Sequence, residues 1–406
     1  MLAKWNAQTD RYQARRRARH FECDGLLAAT EAPGLDVLWN RLAQRLHAVP
    51  VRSISEADYD WLCPGDSQRI FRDAENAIGH RVDLFGMGLV ELGTPIDWHT
   101  DFKTGCSWPV IYVRDIECTN PGSPSDVKVP WEVSRLHWLI PIGQAYLLTG
   151  DERYAAAARD VLDDWIASNP YAHSVNWACT IEVAMRIISW TWFFHVFCRT
   201  DAWTDHGFRA RFMRTLFLHG EFTERHIERS DINGNHFTAE AAALVFAGLF
   251  FGKGTVPSRW GEKGWRMLCD ALPRQALRDV NFEGSIAYHR LVPELFFLAA
   301  RSREACGLAV ADEYRQRVAD MARLASAYTR PDSGTPLLGD IDAARALPFG
   351  GQTTNGHSCF AGMVGAHWHV RDLLDTFNGP REEIFWTLGS RAAALVAARR
   401  EAPAAF

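Results

Sequence analysis

The sequence predicts a mainly α-helical protein built as an α/α toroid of paired antiparallel helices. From Val129 onward, segments of helix length follow one another with Gly, Asn and Pro at their ends. Some, such as "NHFTAEAAALVFAGLFF", are apolar nearly all round, whereas others, such as "ADEYRQRVADMARLASAYTR", are apolar on one face. Inner helices covered on every side and outer helices covered on one side require that mixture.

Residues 1–78 read as an N-terminal annex of short helices, broken by Pro50, Pro64 and Gly65. Residues 79–128 change character. Short β-prone runs punctuated by Gly and Pro ("HRVDLFGMGLVELGTPIDWHTDFKTGCSWPVIYVRDIECT") form an extended and looped lead-in, closed by "NPGSPSD". The helical array then occupies 129–390. Its first segment, "PWEVSRLHWLIPIGQAYLLTG", ends at Gly150, suited to a C-terminal cap. The next, "DERYAAAARDVLDDWIASNP", restarts at once with Asp151 as N-cap and stops at Pro170, so the two form an antiparallel pair. The alternation continues through "CTIEVAMRIISWTWFFHVF", "HGFRARFMRTLFLHGEFTERHI", "NHFTAEAAALVFAGLFF", "GWRMLCDALPRQAL" and "HRLVPELFFLAARSREAC".

The chain has 406 residues, 47% of them hydrophobic, which is enough for a substantial core. A net charge of -5 argues against a nucleic-acid partner. The only lysines are Lys4, Lys103, Lys128, Lys253 and Lys263, so arginine carries nearly all the positive charge. The run Arg15, Arg16, Arg17 and Arg19 reads as a solvated helix face. Nine scattered cysteines without a C-x-x-C pair fit reduced, mostly buried thiols rather than a disulfide frame or zinc site. No run has the length of a membrane span and the start lacks a signal-peptide pattern. A cytoplasmic protein is the expectation, or a periplasmic one if the true N-terminus differs.

Three polar clusters could carry chemistry. Asn235 and His236 follow the Asn233-Gly234 turn at the start of an apolar helix, where exposed amides and the helix dipole favour a negative ligand. Glu240 is four residues beyond His236, placed to hold the imidazole in one tautomer. In "NFEGSIAYHRLVPELFF", Glu283, Tyr288, His289 and Arg290 gather at the start of another apolar helix, where a tyrosine could act as acid or base. In "SVNWACTIEVAMRIISW", Glu182 and Arg186 have the spacing of an intrahelical pair, and Asn176 and Trp177 precede them, the Trp placed to stack on a sugar. Asp340 and Asp342 in "LLGDIDAAR" read as a solvated loop rather than a metal site.

The ordered blocks "GTPIDWHTD", "VPWEVSRLHWLIPIGQAYLLTGDERYA", "VNWACTIEVAMRIISW", "NGNHFTAEAAALVFAGLFF", "FEGSIAYHRLVPELFFLA" and "RPDSGTPLLGDID" resemble the helical domain of the heparinase II/III family of polysaccharide lyases over roughly residues 80–390. The resemblance implies an incomplete α/α toroid followed by a β-sandwich, with a cleft for a uronate-containing acidic polysaccharide and cleavage by β-elimination. It implies that Asn235 and His236 neutralise the uronate carboxylate and that Tyr288 works at the scissile bond. Substrate contacts are expected from Trp131, Arg135, Asn176, Trp177, Glu182, Arg186, Glu240, His289 and Arg290. No cofactor or metal is expected in this chain. Residues 391–406 read as a tail or the start of a sandwich that is otherwise missing. The alternatives are a glycan-binding or assembly module without catalysis, and a hydrolase using opposed carboxylates such as Glu182 and Asp340.

Overall fold

The computed structural model describes residues 10–17, 23–45, 49–118, 120, 122–277, 280–340, 344–351 and 356–401. Arg19 and Asp342 lie outside them. After a helical stretch over 10–17 come α1 (Cys23–Ala29), α2 (Leu35–Ala43), α3 (Glu56–Leu62) and α4 (Asp66–Ile78). The lead-in holds two small antiparallel ladders, β1 (Arg81–Asp83) with β2 (Leu89–Glu91) and β3 (Thr100–Asp101) with β4 (Cys106–Ser107). The array continues with α5 (Lys128–Ser134), α6 (Ile140–Thr149), α7 (Glu152–Ser168), α8 (Thr180–Phe197), α9 (His206–Arg225), α10 (Asn235–Phe251) and α11 (Thr255–Gln275). A ladder of β5 (Ala276–Leu277) and β6 (Val280–Asn281) leads to α12 (Tyr288–Ala305) and α13 (Asp312–Tyr328). Then come α14 (Ser358–Trp368), α15 (Arg371–Thr376), α16 (Glu382–Leu388) and α17 (Ser390–Glu401). Helix thus runs past residue 390, and the described part of 391–406 is helical rather than the first strand of a sandwich.

Helices that are apolar all round lie inside. Every residue of α8 is buried, and every residue of α10 except His236. Helix α10 is walled by α8, α11 and α12. Small residues let it approach α11 backbone to backbone. A Cβ added at Gly248 would lie 2.3 Å from the Gly261 amide nitrogen, so the crossing admits no side chain there. Aromatic rings fill the space around α8: Trp165, Trp177, Trp190 and Phe222 surround the His219 ring or touch one another at centroid distances of 4.5–6.2 Å.

Local chemistry sets the ends. The Asp151 carboxylate accepts from the Arg153 amide at 3.0 Å and caps α7, while Gly150 closes α6 in the left-handed region at φ 69°. The segment expected as one helix through "PWEVSRLHWLIPIGQ" is broken. Pro141 has no amide hydrogen to donate back to His137 and its ring crowds that carbonyl. The chain reverses at Leu136 (φ 61°) and passes through a 3-10 turn, His137–Leu139, before α6. Arg135, at the end of α5, is thereby turned toward α8. All nine cysteines are free, but only Cys63, Cys198 and Cys359 are buried, so the expectation of mostly buried thiols needs correcting. Among the described residues no helix is long and apolar enough to cross a membrane.

One carboxylate joins three helices. Glu304 of α12 accepts from Arg315 of α13 and from His367 Nε2 (2.7 Å) and Trp368 Nε1 (3.0 Å) of α14. Burial raises its pKa, but the hydrogen bonds from His367, Trp368 and Arg315 outweigh burial and bring it down to about 2. A depressed carboxylate pKa contributes stability above the unfolded value of about 4.3, lost as pH falls toward the folded value. Solvent reaches part of the site and screens it, so Glu304→Gln is expected to cost on the order of 2 kcal/mol at pH 7. The difference from the parent chain should shrink between pH 5 and pH 2; urea unfolding that shows a pH-independent difference would refute this.

Candidate active site

One cleft is lined by Phe85, Lys128, Trp131, Glu132, Arg135, Cys179, Ile181, Glu182, Asn235, His236, Tyr288, Leu291 and Ala344. The starts of α10 and α12 thus face the same space, with α5 and the start of α8 as its other walls.

Asn235 opens α10, and its side chain is fixed by Glu283. The Glu283 Oε1 accepts from the Asn235 side-chain amide at 2.8 Å and from its backbone amide at 3.3 Å. A carboxylate only accepts, so the Asn235 nitrogen must face it, leaving one amide hydrogen and the carbonyl oxygen for a ligand. The preceding glycine makes room, since a Cβ at Gly234 would come within 2.8 Å of Glu283 Oε1. That is the physical content of "NGN".

His236 is the single residue of α10 that is not buried, its side chain 43% exposed. Its Nδ1 donates to Glu228 Oε2 at 2.9 Å, which places Nε2 for a ligand. Burial lowers the imidazole pKa, but the hydrogen bond and charge of Glu228, aided by Glu182 and Glu283, hold it above the ordinary value. Glu240 was expected to orient this ring. It is buried instead behind the site, where its Oε2 accepts from the Glu228 backbone amide at 2.8 Å. Burial, with the charge of Glu228 adding, lifts its pKa to about 9, so it is a neutral acid at pH 7. The orienting carboxylate is Glu228, and Glu240 fixes the backbone that carries it.

Tyr288 begins α12, its backbone amide held by Ser285 Oγ at 3.2 Å and its hydroxyl 3.4 Å from Asp340 Oδ2. Across the cleft, Arg135 binds Glu182 through two hydrogen bonds of 2.7 Å and Glu132 at 2.8 Å. Glu182 therefore pairs with Arg135 of α5, not with Arg186 one turn along its own helix. Trp131 donates from Nε1 to the Val175 carbonyl at 2.9 Å while its ring lines the cleft.

Five expected substrate contacts are structural. The Asn176 amide donates to the Trp98 carbonyl and Asn169 Oδ1, both at 2.9 Å, and is fully buried. Trp177 lies in the aromatic core and donates to the Asn169 carbonyl, so it has no face for a sugar. Arg186 is fully buried over the Trp165 ring, donating to His219 Nε2 at 2.9 Å and the Asn176 carbonyl at 2.6 Å. His289 accepts from the Asn281 amide at Nδ1 and meets the Met321 carbonyl with Nε2, bridging β6 and α13. Arg290 is buried near Arg345, Glu294 and Glu383, with burial and the Arg345 charge lowering its pKa to about 10. Arg186, His289 and Arg290 sit on helices whose every face is covered, where helical spacing cannot say which side meets the cleft, and Asn176 and Trp177 lie in a buried 3-10 turn, Val175–Trp177, just before α8.

Glu228 and Cys179 were missed. They reach His236 from a loop and from a helix cap, positions with no periodic spacing to it; a carboxylate five residues before the Asn233-Gly234 turn is the faint signal available for Glu228.

The family description "Heparinase II/III N-terminus" matches residues 68–360. The chain is 27% identical over 276 residues to a heparin-sulfate lyase of Pedobacter heparinus, a match covering 66% of this chain and 38% of that protein. Against a heparin-sulfate lyase of Bacteroides stercoris it is 23% identical over 271 residues, covering 61% and 37%. It thus spans well under half the length of these curated relatives. A mutant heparan sulfate lyase of Pedobacter heparinus superimposes with a TM-score of 0.56 at 20% identity over 91% of this chain and 52% of that one. A heparinase III structure gives 0.54 at 16% identity, over 86% and 54%. At such identities the likeness is one of fold.

Proposed function

This chain belongs to the heparinase II/III family, a family of polysaccharide lyases, and from that premise we propose that its cleft cleaves a uronate-containing acidic polysaccharide by β-elimination. The observation that carries the proposal is the meeting of Asn235, His236 and Tyr288 in one cleft, with two carboxylates fixing the first two.

The reaction removes the proton on C-5 of a uronate and expels the oxygen on C-4. That proton is weakly acidic until the neighbouring carboxylate is neutralised and the enolate charge is met by fixed donors. The His236 imidazolium and the free Asn235 amide hydrogen serve this purpose, backed by the amides at the start of α10. Glu283 and Glu228 hold them in place before the substrate arrives, so little reorganisation accompanies the charge. The Tyr288 oxygen takes the C-5 proton and passes it, as its hydroxyl proton, to the departing C-4 oxygen, so the residue ends each turnover as it began, with the exposed Asp340 beside it. The carboxylates of Glu132 and Glu182 are occupied by Arg135, which limits their repulsion of an anionic chain.

Asn235→Ala is expected to lower turnover by about a hundredfold, a loss on the order of 3 kcal/mol, if the amide meets the enolate as oxyanion donors do. Glu283→Ala should lower it as well, by about tenfold, because Asn235 remains but swings free. The assay is ultraviolet absorbance of the unsaturated product on heparan-type and alginate-type polysaccharides. Binding of these glycans without any absorbance change would refute the lyase reading and favour a binding module.

A further inference from the structure

We propose that Cys179, Glu228 and His236 form a binding site for one borderline divalent cation of the Zn²⁺ type at the edge of the cleft. The three groups come from the cap of α8, the loop after α9 and the first turn of α10. Their ligand atoms all lie within 4.8 Å of one another. Cys179 Sγ is 3.9 Å from Glu228 Oε1 and 4.0 Å from His236 Nδ1, and His236 Nδ1 is 2.9 Å from Glu228 Oε2.

Tetrahedral zinc with bonds of about 2.3 Å to sulfur and about 2.0–2.2 Å to nitrogen and oxygen places its ligands roughly 3.3–3.6 Å apart. The sulfur distances exceed that range by a few tenths of an ångström and the nitrogen–oxygen distance falls short by a similar amount. Side-chain torsions of the half-exposed Glu228 and His236 cover the difference without moving the backbone. One thiolate, one imidazole and one carboxylate suit zinc rather than Mg²⁺ or Ca²⁺, which take oxygen ligands. Three protein ligands leave a fourth position, and since Cys179 and His236 both line the cleft, it opens there for water or an anionic oxygen.

The surroundings favour a dication. They are acidic: the Glu228 carboxylate lies beside the thiol and Glu182 lines the same cleft. Binding releases the Cys179 thiol proton and the His236 Nδ1 proton, forms the metal–sulfur, metal–nitrogen and metal–oxygen bonds, and replaces the His236–Glu228 hydrogen bond, so the metal-bound chain is a separate state that lacks the imidazolium of the proposed reaction. Glu240, holding the Glu228 backbone, then supports a ligand from behind. The three positions, 179, 228 and 236, lack the short ligand spacing of sequence-readable zinc sites, and the sequence accordingly gave no metal signal.

The test uses Co²⁺ as probe on the whole, chelator-treated chain and does not depend on lyase activity. One equivalent of Co²⁺ should give a thiolate-to-cobalt charge-transfer band that Zn²⁺ displaces. Cys179→Ser should abolish the band, and Cys106→Ser, at an exposed thiol elsewhere, should leave it unchanged. Glu228→Gln, a change at an exposed side chain that keeps the fold, should weaken Zn²⁺ binding at least tenfold. No bound Co²⁺ in the parent chain, a band surviving in Cys179→Ser, or unchanged Zn²⁺ affinity in Glu228→Gln would each overturn the proposal.

Discussion

Tyr288→Phe is expected to reduce turnover on the uronate polysaccharide by a hundredfold or more while leaving the melting temperature essentially unchanged. The phenyl ring keeps the packing of the first turn of α12, and the backbone amide keeps its bond to Ser285. What is removed is a hydroxyl whose contact with Asp340, at 3.4 Å on an exposed side chain, is long and wet and therefore contributes little to stability. The same hydroxyl is the proton source for the leaving oxygen in the proposed reaction, and loss of a positioned general acid typically removes two to four orders of magnitude. Because the effect arises in the transition state, kcat and kcat/KM should fall together with KM little changed. Unimpaired turnover of unsaturated product in the Phe variant would remove Tyr288 from the mechanism. A lowered melting temperature with normal turnover per folded molecule would make it a packing residue.

The helices and the residues at their starts were legible for one reason: punctuation. Asn235 and His236 stand out because a Gly turn interrupts polar sequence just before an apolar run, and Tyr288 follows a similar Gly-Ser break. Those positions fall where a helix of the inner layer ends, so their side chains meet the cleft. Inside a helix, or in the buried 3-10 turn that leads into one, the argument weakens. Trp177 and Arg186 resemble sugar-binding residues in type, yet the aromatic core accepts the indole and even the guanidinium, which lies 4.7 Å from the centre of the Trp165 ring. Helical spacing offered Arg186 as the partner of Glu182, whereas the partner is Arg135, 47 residues earlier and turned inward by the break at Leu136. Such pairings depend on how non-neighbouring helices cross, and no local pattern encodes that. The Glu228–His236 pair is hidden for the same reason, being made across a loop.

A second long-range cluster carries the largest stability effect expected of a single substitution. Arg345 donates to both oxygens of Glu294 at 3.0 Å and lies 3.2 Å from Glu383, with all three side chains no more than 7% exposed. Burial lowers the guanidinium pKa, but the two carboxylates more than restore it and hold it well above its ordinary value. The carboxylates also accept from the backbone amides of Ala346 and Gly350, so the cluster clamps the 344–351 loop against α12 and α16. Ala344 of that loop lines the cleft. Replacing Arg345 by Met keeps much of the volume and leaves two carboxylates in a dry interior without the guanidinium that faces both. Breaking such a buried pair from one side costs about 3–5 kcal/mol, far more than the intact cluster contributes over an apolar replacement, because the uncompensated charge and not the lost attraction dominates. The solvent-exposed pair Arg211–Asp163 has comparable geometry, at 2.7 Å, yet Arg211→Ala should cost less than about 1 kcal/mol, since water screens the charges in both states. Denaturant unfolding of the two variants side by side separates burial from geometry as the cause: similar small losses at both sites would mean that water reaches the Arg345 cluster and that something else holds the cleft-side loop.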